Sequence, residues 1–297
     1  MTTIVHLQQN GFDLDIAPKA GGGIARLDWQ GMPLLRPAVS GAVEACDPLG
    51  LSCFPMTPYI SRITDGKFVW GDVATQIAPN MAGGSHPLHG IGWRKPWEII
   101  SQSSSGIELA LNHLGDADWP WAFETRQSFQ ICTDHVVHEL SVTSKDSRPF
   151  PCSLGPHPYF NSNGARIQFH ADALWEISGE SLPTVKARAP VVNSLAVGVA
   201  AHDLNLDHCF EGWDGRATIT WPYHGVHINS QRSIDDVHEM CSRLQLYTPL
   251  RSGFFCLEPV TARCVAFLEP EPETHGVVEL RHQELKITTT FTPFRRR

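Results

Sequence analysis

Apolar residues recur at every second position along this chain, and helical spacing is scarce. Phe12, Leu14 and Ile16 alternate with polar neighbours, as do Ile107, Leu109 and Leu111. Val137, Leu140 and Val142 flank polar positions, and Leu285, Ile287, Thr289 and Phe291 repeat the alternation cleanly. Successive strand side chains point to opposite faces, so each run describes a half-buried strand. The 24 glycines and 22 prolines fall between the runs as turn punctuation. Many short strands with closely spaced turns predict an all-β fold, either a sandwich or a barrel. The chain has no Pro/Ser-rich linker, composition shift or internal repeat, so residues 1–297 read as a single domain. One stretch stays open. Between Ser233 and Leu244, the residues Ile234, Val237, Cys241 and Leu244 suit either a short helix, with Asp235 and Asp236 near its start, or an irregular excursion between strands.

Charge narrows the partners. The formal net charge of −8 argues against nucleic acid and against an anionic membrane surface, because either requires a basic footprint. The run Arg295-Arg296-Arg297 is the exception and reads as a solvated tail. No basic segment followed by a long apolar one opens the sequence, and no stretch approaches the roughly 18 apolar residues of a membrane span. The eight cysteines form no CxxC pair, and several sit in apolar runs. They read as buried free thiols of a cytoplasmic protein.

Within this frame a few polar residues are out of place. Glu258 lies in Phe254-Phe255-Cys256-Leu257-Glu258-Pro259-Val260, where an unpaired carboxylate is costly to bury. Its surroundings favour a raised pKa and a base-like role, or else a structural pairing with Arg62 or Arg251. His157 stands between Pro156 and Pro158, which fix the backbone and hold the imidazole in one direction. His89 sits in Leu88-His89-Gly90. His86 and His89 are three apart, but Pro87 between them argues against a helix, and no zinc-like spacing to Cys or carboxylate follows. Trp93 and Trp97 offer either a stacking platform for a sugar ring or core packing. Arg62, ahead of an Asp65-Gly66 turn, is either an inward donor to hydroxyls or carboxylates or a surface ion pair. Asp207 is either an acceptor for hydroxyls or a loop-capping residue, and Asp214 in Trp213-Asp214-Gly215 reads as a turn residue. Elbow, P-loop and dinucleotide motifs are missing from the sequence.

Read in order, these segments resemble the aldose 1-epimerase (galactose mutarotase) family. Residues 21–31 resemble its opening strands, and Phe54 to Phe68 its Asn-Arg-Ile block, with Ser61 where Asn is usual. Leu88-His89-Gly90 and Gly155 to Asn161 resemble its two histidine motifs, and Leu206 to Gly215 and Tyr247 to Val260 its late acidic motifs. The resemblance implies a large antiparallel β-sandwich with an open cleft on one sheet. It implies Glu258 as general base, His157 as general acid and His89 near the ring oxygen. Arg62 and Asp207 would bind sugar hydroxyls. The implied substrate is a free aldose such as galactose or glucose, with no metal or other cofactor. Two alternatives accompany this reading. One is an anionic sugar, with Arg94, Lys95 and Arg251 as possible cation suppliers. The other is a non-catalytic sugar-binding module.

Overall fold

The computed structural model describes residues 4–179 and 182–296. Two large sheets dominate, and every strand-to-strand ladder among the described residues is antiparallel. The eleven-stranded sheet runs through Val5–Gln9, Phe12–Ala17, Gly23–Trp29, Cys53–Met56, Gly155–Asn161, Phe254–Val260, Arg243–Tyr247, Asp207–Glu211, Ala173–Ile177 and Pro183–Ala187. The short strand Met32–Pro33 pairs at Gly23–Trp29. The ten-stranded sheet is centred on the long pair His224–Ile234 and Glu284–Arg295, flanked by Arg216–Thr220 on one side and Val136–Ser144 on the other. This is the galactose mutarotase-like sandwich expected from the sequence.

The alternation explains the core. Phe12, Leu14 and Ile16 from one sheet and Leu285, Ile287 and Phe291 from the other are buried in one apolar cluster. Burying each such side chain contributes about 1.5–3 kcal/mol. Trp119 and Trp121 are wholly buried and lie near Phe68, Phe150 and Phe267.

Three sequence expectations change. The stretch from Ser233 to Leu244 is neither a helix nor an irregular excursion. His224–Ile234 and Val237–Met240 form a hairpin, pairing Ile234 with Val237 across Asp235-Asp236. Asp235 takes a φ of 50°, which an aspartate tolerates, so the two acids make a turn rather than a helix start. The basic run is not a solvated tail throughout. Arg295 ends the strand Glu284–Arg295 and donates to Gln30, and Arg296 donates to the Trp221 carbonyl. Arg297 lies outside the described residues. One α-helix, Pro190–Val197, occurs where the sequence reading had none. It starts with Pro190 in the first turn and stops at Gly198, with Val192 and Leu195 turned inward. No helix among the described residues is long and apolar enough to cross a membrane.

Candidate active site

Five neighbouring strands of the larger sheet build the site through their register. Phe54 faces His157, and Tyr159 faces Cys256. Cys256 in turn faces Tyr247, and Tyr247 faces Asp207, while Glu258 faces Gln245. Continuing the Tyr159–Cys256 register by two residues sets His157 beside Glu258. Residues two apart share a face, so these side chains form two rows on one surface of the sheet. The intervening Phe160, Phe255, Leu257, Leu244 and Leu246 point the other way, into the core. The apolar look of the Glu258 segment is the signature of a strand covered on both sides.

His157 Nε2 lies 3.3 Å from Glu258 Oε1, and both side chains are buried. The imidazole stacks on Phe54 at 4.3 Å and on Tyr159 at 4.9 Å between centroids. Removal from water disfavours either charge standing alone. Burial therefore pushes the Glu258 carboxyl well up, with Asp207 adding to the rise and Arg62 opposing it. Burial also pushes the His157 imidazole down. Both shifts favour a pair that holds a single proton over one that is doubly protonated or fully deprotonated.

His89 meets His157 edge-on, their rings 5.1 Å apart at 84°. The Ser61 N–H donates to His89 Nδ1 at 3.0 Å. Burial, His157 and Arg62 all hold this imidazole well below its usual pKa, so it is neutral with its proton on Nε2. The segment carrying it is clamped from behind by Asn80. Its amide donates to the Leu88 carbonyl at 2.7 Å and the Gly90 carbonyl at 3.1 Å, and accepts from the Leu88 N–H at 2.8 Å. Gly90 is required here: its φ is 69°, and a Cβ would stand 2.1 Å from the Thr57 carbonyl oxygen.

Arg62 and Asp207 complete the rim. Arg62 Nη1 lies 3.9 Å from Asp207 Oδ2, with both side chains partly exposed. A pair that long and wet contributes at most about 1 kcal/mol, so stability does not account for it. Asp207 Oδ1 also accepts from Gln245 at 2.8 Å, which fixes the carboxylate in place. The resulting cleft, about 670 Å³, is lined by all five of Arg62, His89, His157, Asp207 and Glu258. Tyr159, Tyr247 and Phe254 supply aromatic surface, and Arg36 lies with its guanidinium 4.2 Å from the Tyr159 ring centre.

The structure thus gathers into one cleft residues that are up to 196 positions apart in sequence, Arg62 and Glu258 being the extremes. Arg62 both lines the cleft and forms a partly exposed ion pair with Asp207, and Asp207 lies in a strand rather than at a loop cap. Glu258 is paired with His157 rather than with Arg62 or Arg251. The tryptophans do not form a sugar platform. Trp93 and Trp97 are buried and donate to the Leu88, Gly90 and Gly92 carbonyls beneath the histidine loop. The three cations expected for an anionic sugar do not line the cleft. Arg94 and Lys95 line a separate cavity behind Gly90, and Arg251 sits in an exposed turn. His86 and His89 accept from different backbone amides, those of Asp65 and Ser61. Sequence reasoning missed Arg36, Asn80 and Gln245. Gln245 was findable as a lone polar residue between Leu244 and Leu246, whereas Asn80 left no signal. All eight cysteines are free thiols, six of them buried.

A model of the aldose 1-epimerase family matches residues 4–289. The chain belongs to the aldose 1-epimerase family. It is 29% identical over 277 residues to the uncharacterized protein YphB of Escherichia coli K12, covering 87% of this chain and 88% of that one. Among solved structures it resembles a candidate aldose 1-epimerase from Escherichia coli K12, with a TM-score of 0.88 at 24% identity and 100% of both chains covered. It also resembles a galactose mutarotase-like protein from Clostridium acetobutylicum, with a TM-score of 0.86 at 17% identity and coverage of 99% and 96%. At these identities the two structures speak for the epimerase fold alone.

Proposed function

We propose that this family member interconverts the α and β anomers of a neutral free aldose, with Glu258 and His157 as its proton-transfer pair. The observation that carries the reading is the His157–Glu258 contact of 3.3 Å on the floor of an open cleft. The reaction requires a proton to leave the C1 hydroxyl while another reaches the ring oxygen. Glu258 takes the first, the C1–O bond to the ring oxygen breaks as C1 becomes a carbonyl, and His157 delivers the second. Rotation about C1–C2 presents the other carbonyl face. Ring closure then returns both protons with the roles reversed. Two groups sharing one proton suit a sequence that ends with the same proton count.

The rest of the cleft fits in supporting roles. His89 offers its Nε2–H to the ring-oxygen region, and Arg62 and Asp207 offer a donor and an acceptor to hydroxyls. Tyr159, Tyr247 and Phe254 suit the apolar C–H face of a sugar. A neutral substrate is favoured because Arg94, Lys95 and Arg251 lie outside the cleft, Arg62 already faces Asp207, and the Arg36 guanidinium is engaged by the Leu49 and Leu51 carbonyls. Each positioned proton-transfer group typically contributes about 10²–10⁴-fold. Anomer exchange measured by magnetisation-transfer NMR on glucose, galactose, xylose and glucose 6-phosphate tests the reading. Faster exchange of a neutral aldose, with the phosphate ester a poorer substrate, is expected. Saturable sugar binding without any acceleration would instead favour a binding module.

A further inference from the structure

Cys256 shares its strand and its face with Glu258, two residues away, and it faces Tyr159 across the ladder. A nitrogen of His157, the Cys256 sulfur and a Glu258 oxygen all lie within 4.8 Å of one another, and all three residues are buried. No other group of three among the described residues meets this condition. Imidazole nitrogen, thiolate and carboxylate are the donor types that hold zinc. Bonds of about 2.0–2.3 Å set the donors of a tetrahedral ion about 3.3–3.8 Å apart. The His157–Glu258 separation of 3.3 Å already meets that spacing. Drawing in the sulfur takes a movement of at most about 1.3 Å by the same geometry.

Charge favours the occupant. A buried carboxylate or thiolate alone is costly, but one of each around a dication is neutral overall. The thiol selects a soft or borderline ion over magnesium or calcium. His157 and Glu258 line the cleft, from which a water can supply the fourth ligand.

We propose that His157, Cys256 and Glu258 form a Zn²⁺ site on the cleft floor, and that its occupation withdraws both proton-transfer groups from the sugar. The inhibitory consequence rests on the anomer-exchange reading; the binding of the ion does not. Because Cys256 takes no part in the proton transfers, the site is separable from the chemistry by mutation.

The test uses the full chain freed of metal. One equivalent of Co²⁺ should produce a thiolate-to-cobalt charge-transfer band in the near ultraviolet, and Zn²⁺ should displace it. Cys256→Ser and Cys256→Ala should both lack the band and bind Zn²⁺ roughly tenfold or more weakly. Cys46→Ser, at an exposed cysteine, should keep it. Zinc should abolish exchange in the wild type in proportion to occupancy, with recovery on adding chelator. In Cys256→Ser, added Zn²⁺ should leave exchange at that variant's own metal-free rate. Absence of the band, its persistence in both Cys256 variants, or full exchange at full occupancy overturns the proposal. A band lost in both variants, in a protein inactive on every aldose, supports the ion site and overturns only the catalytic reading.

Discussion

Ser61 and His89 hold each other in place: the Ser61 N–H donates to His89 Nδ1 at 3.0 Å, and the His89 N–H donates to the Ser61 carbonyl at 2.8 Å. Both residues sit at positive φ, 54° and 58°. The backbone geometry of position 61 therefore selects the tautomer of a cleft histidine 28 residues away. Asparagine tolerates this conformation and β-branched residues do not. Ser61→Asn should keep wild-type stability, whereas Ser61→Val should lose about 1–3 kcal/mol. Urea denaturation of both variants decides it, and equal stabilities would contradict the backbone role.

The pH profile follows from the direction of two shifts. Burial lowers the His157 pKa and raises that of Glu258, so the one-proton form of the pair spans a wide window. Its acid edge lies below the ordinary imidazole value of about 6.5. The expected kcat/KM is flat through that pH, with an acid limb in more acid solution and an alkaline limb where Glu258 loses its proton. An acid limb centred near the free imidazole value would mean that His157 titrates as though solvated.

Glu258 should cost the fold stability as pH rises. Its folded pKa is raised, so its contribution is fully present below the unfolded carboxyl value of about 4.3 and is lost as pH climbs through the folded value. Glu258→Gln removes that titration. The variant should therefore gain Tm relative to wild type as pH increases from about 4.3 upward. Melting curves across the pH range read it directly, and a difference independent of pH would rule out a buried titrating carboxyl.

Asn80 touches the backbone of the Leu88–Gly90 segment through three hydrogen bonds, and it is not among the residues lining the cleft. Asn80→Ala should leave substrate affinity largely intact while His89 drifts from its place. Misplacement on the scale of 1 Å costs about 10²-fold in rate. Steady-state kinetics should show that loss in kcat, with KM little changed. A wild-type kcat would show that the clamp is dispensable.

Much of this molecule is legible in its sequence because strands with one buried face alternate visibly. Phe12, Leu14 and Ile16, or Leu285, Ile287 and Phe291, announce both their element and their buried side. Glu258 and His157 stand out for the opposite reason, as polar residues in apolar or proline-bound runs. What stays hidden depends on distant neighbours. Asn80 acts on a segment eight residues on through its amide, and Arg36 reaches the cleft by stacking on Tyr159. Neither bond has a local pattern. The Ser233–Leu244 stretch misleads because a hairpin with a two-residue turn mimics helical spacing over so few residues.

The central claim is that Glu258 and His157 exchange protons with the sugar. Polarimetric mutarotation of a freshly dissolved neutral aldose, with wild type, Glu258→Gln and His157→Asn compared at equal concentration, tests it most directly. The account predicts loss of about 10²–10⁴-fold in each variant, with circular dichroism unchanged. Near-wild-type rates in both variants would contradict it.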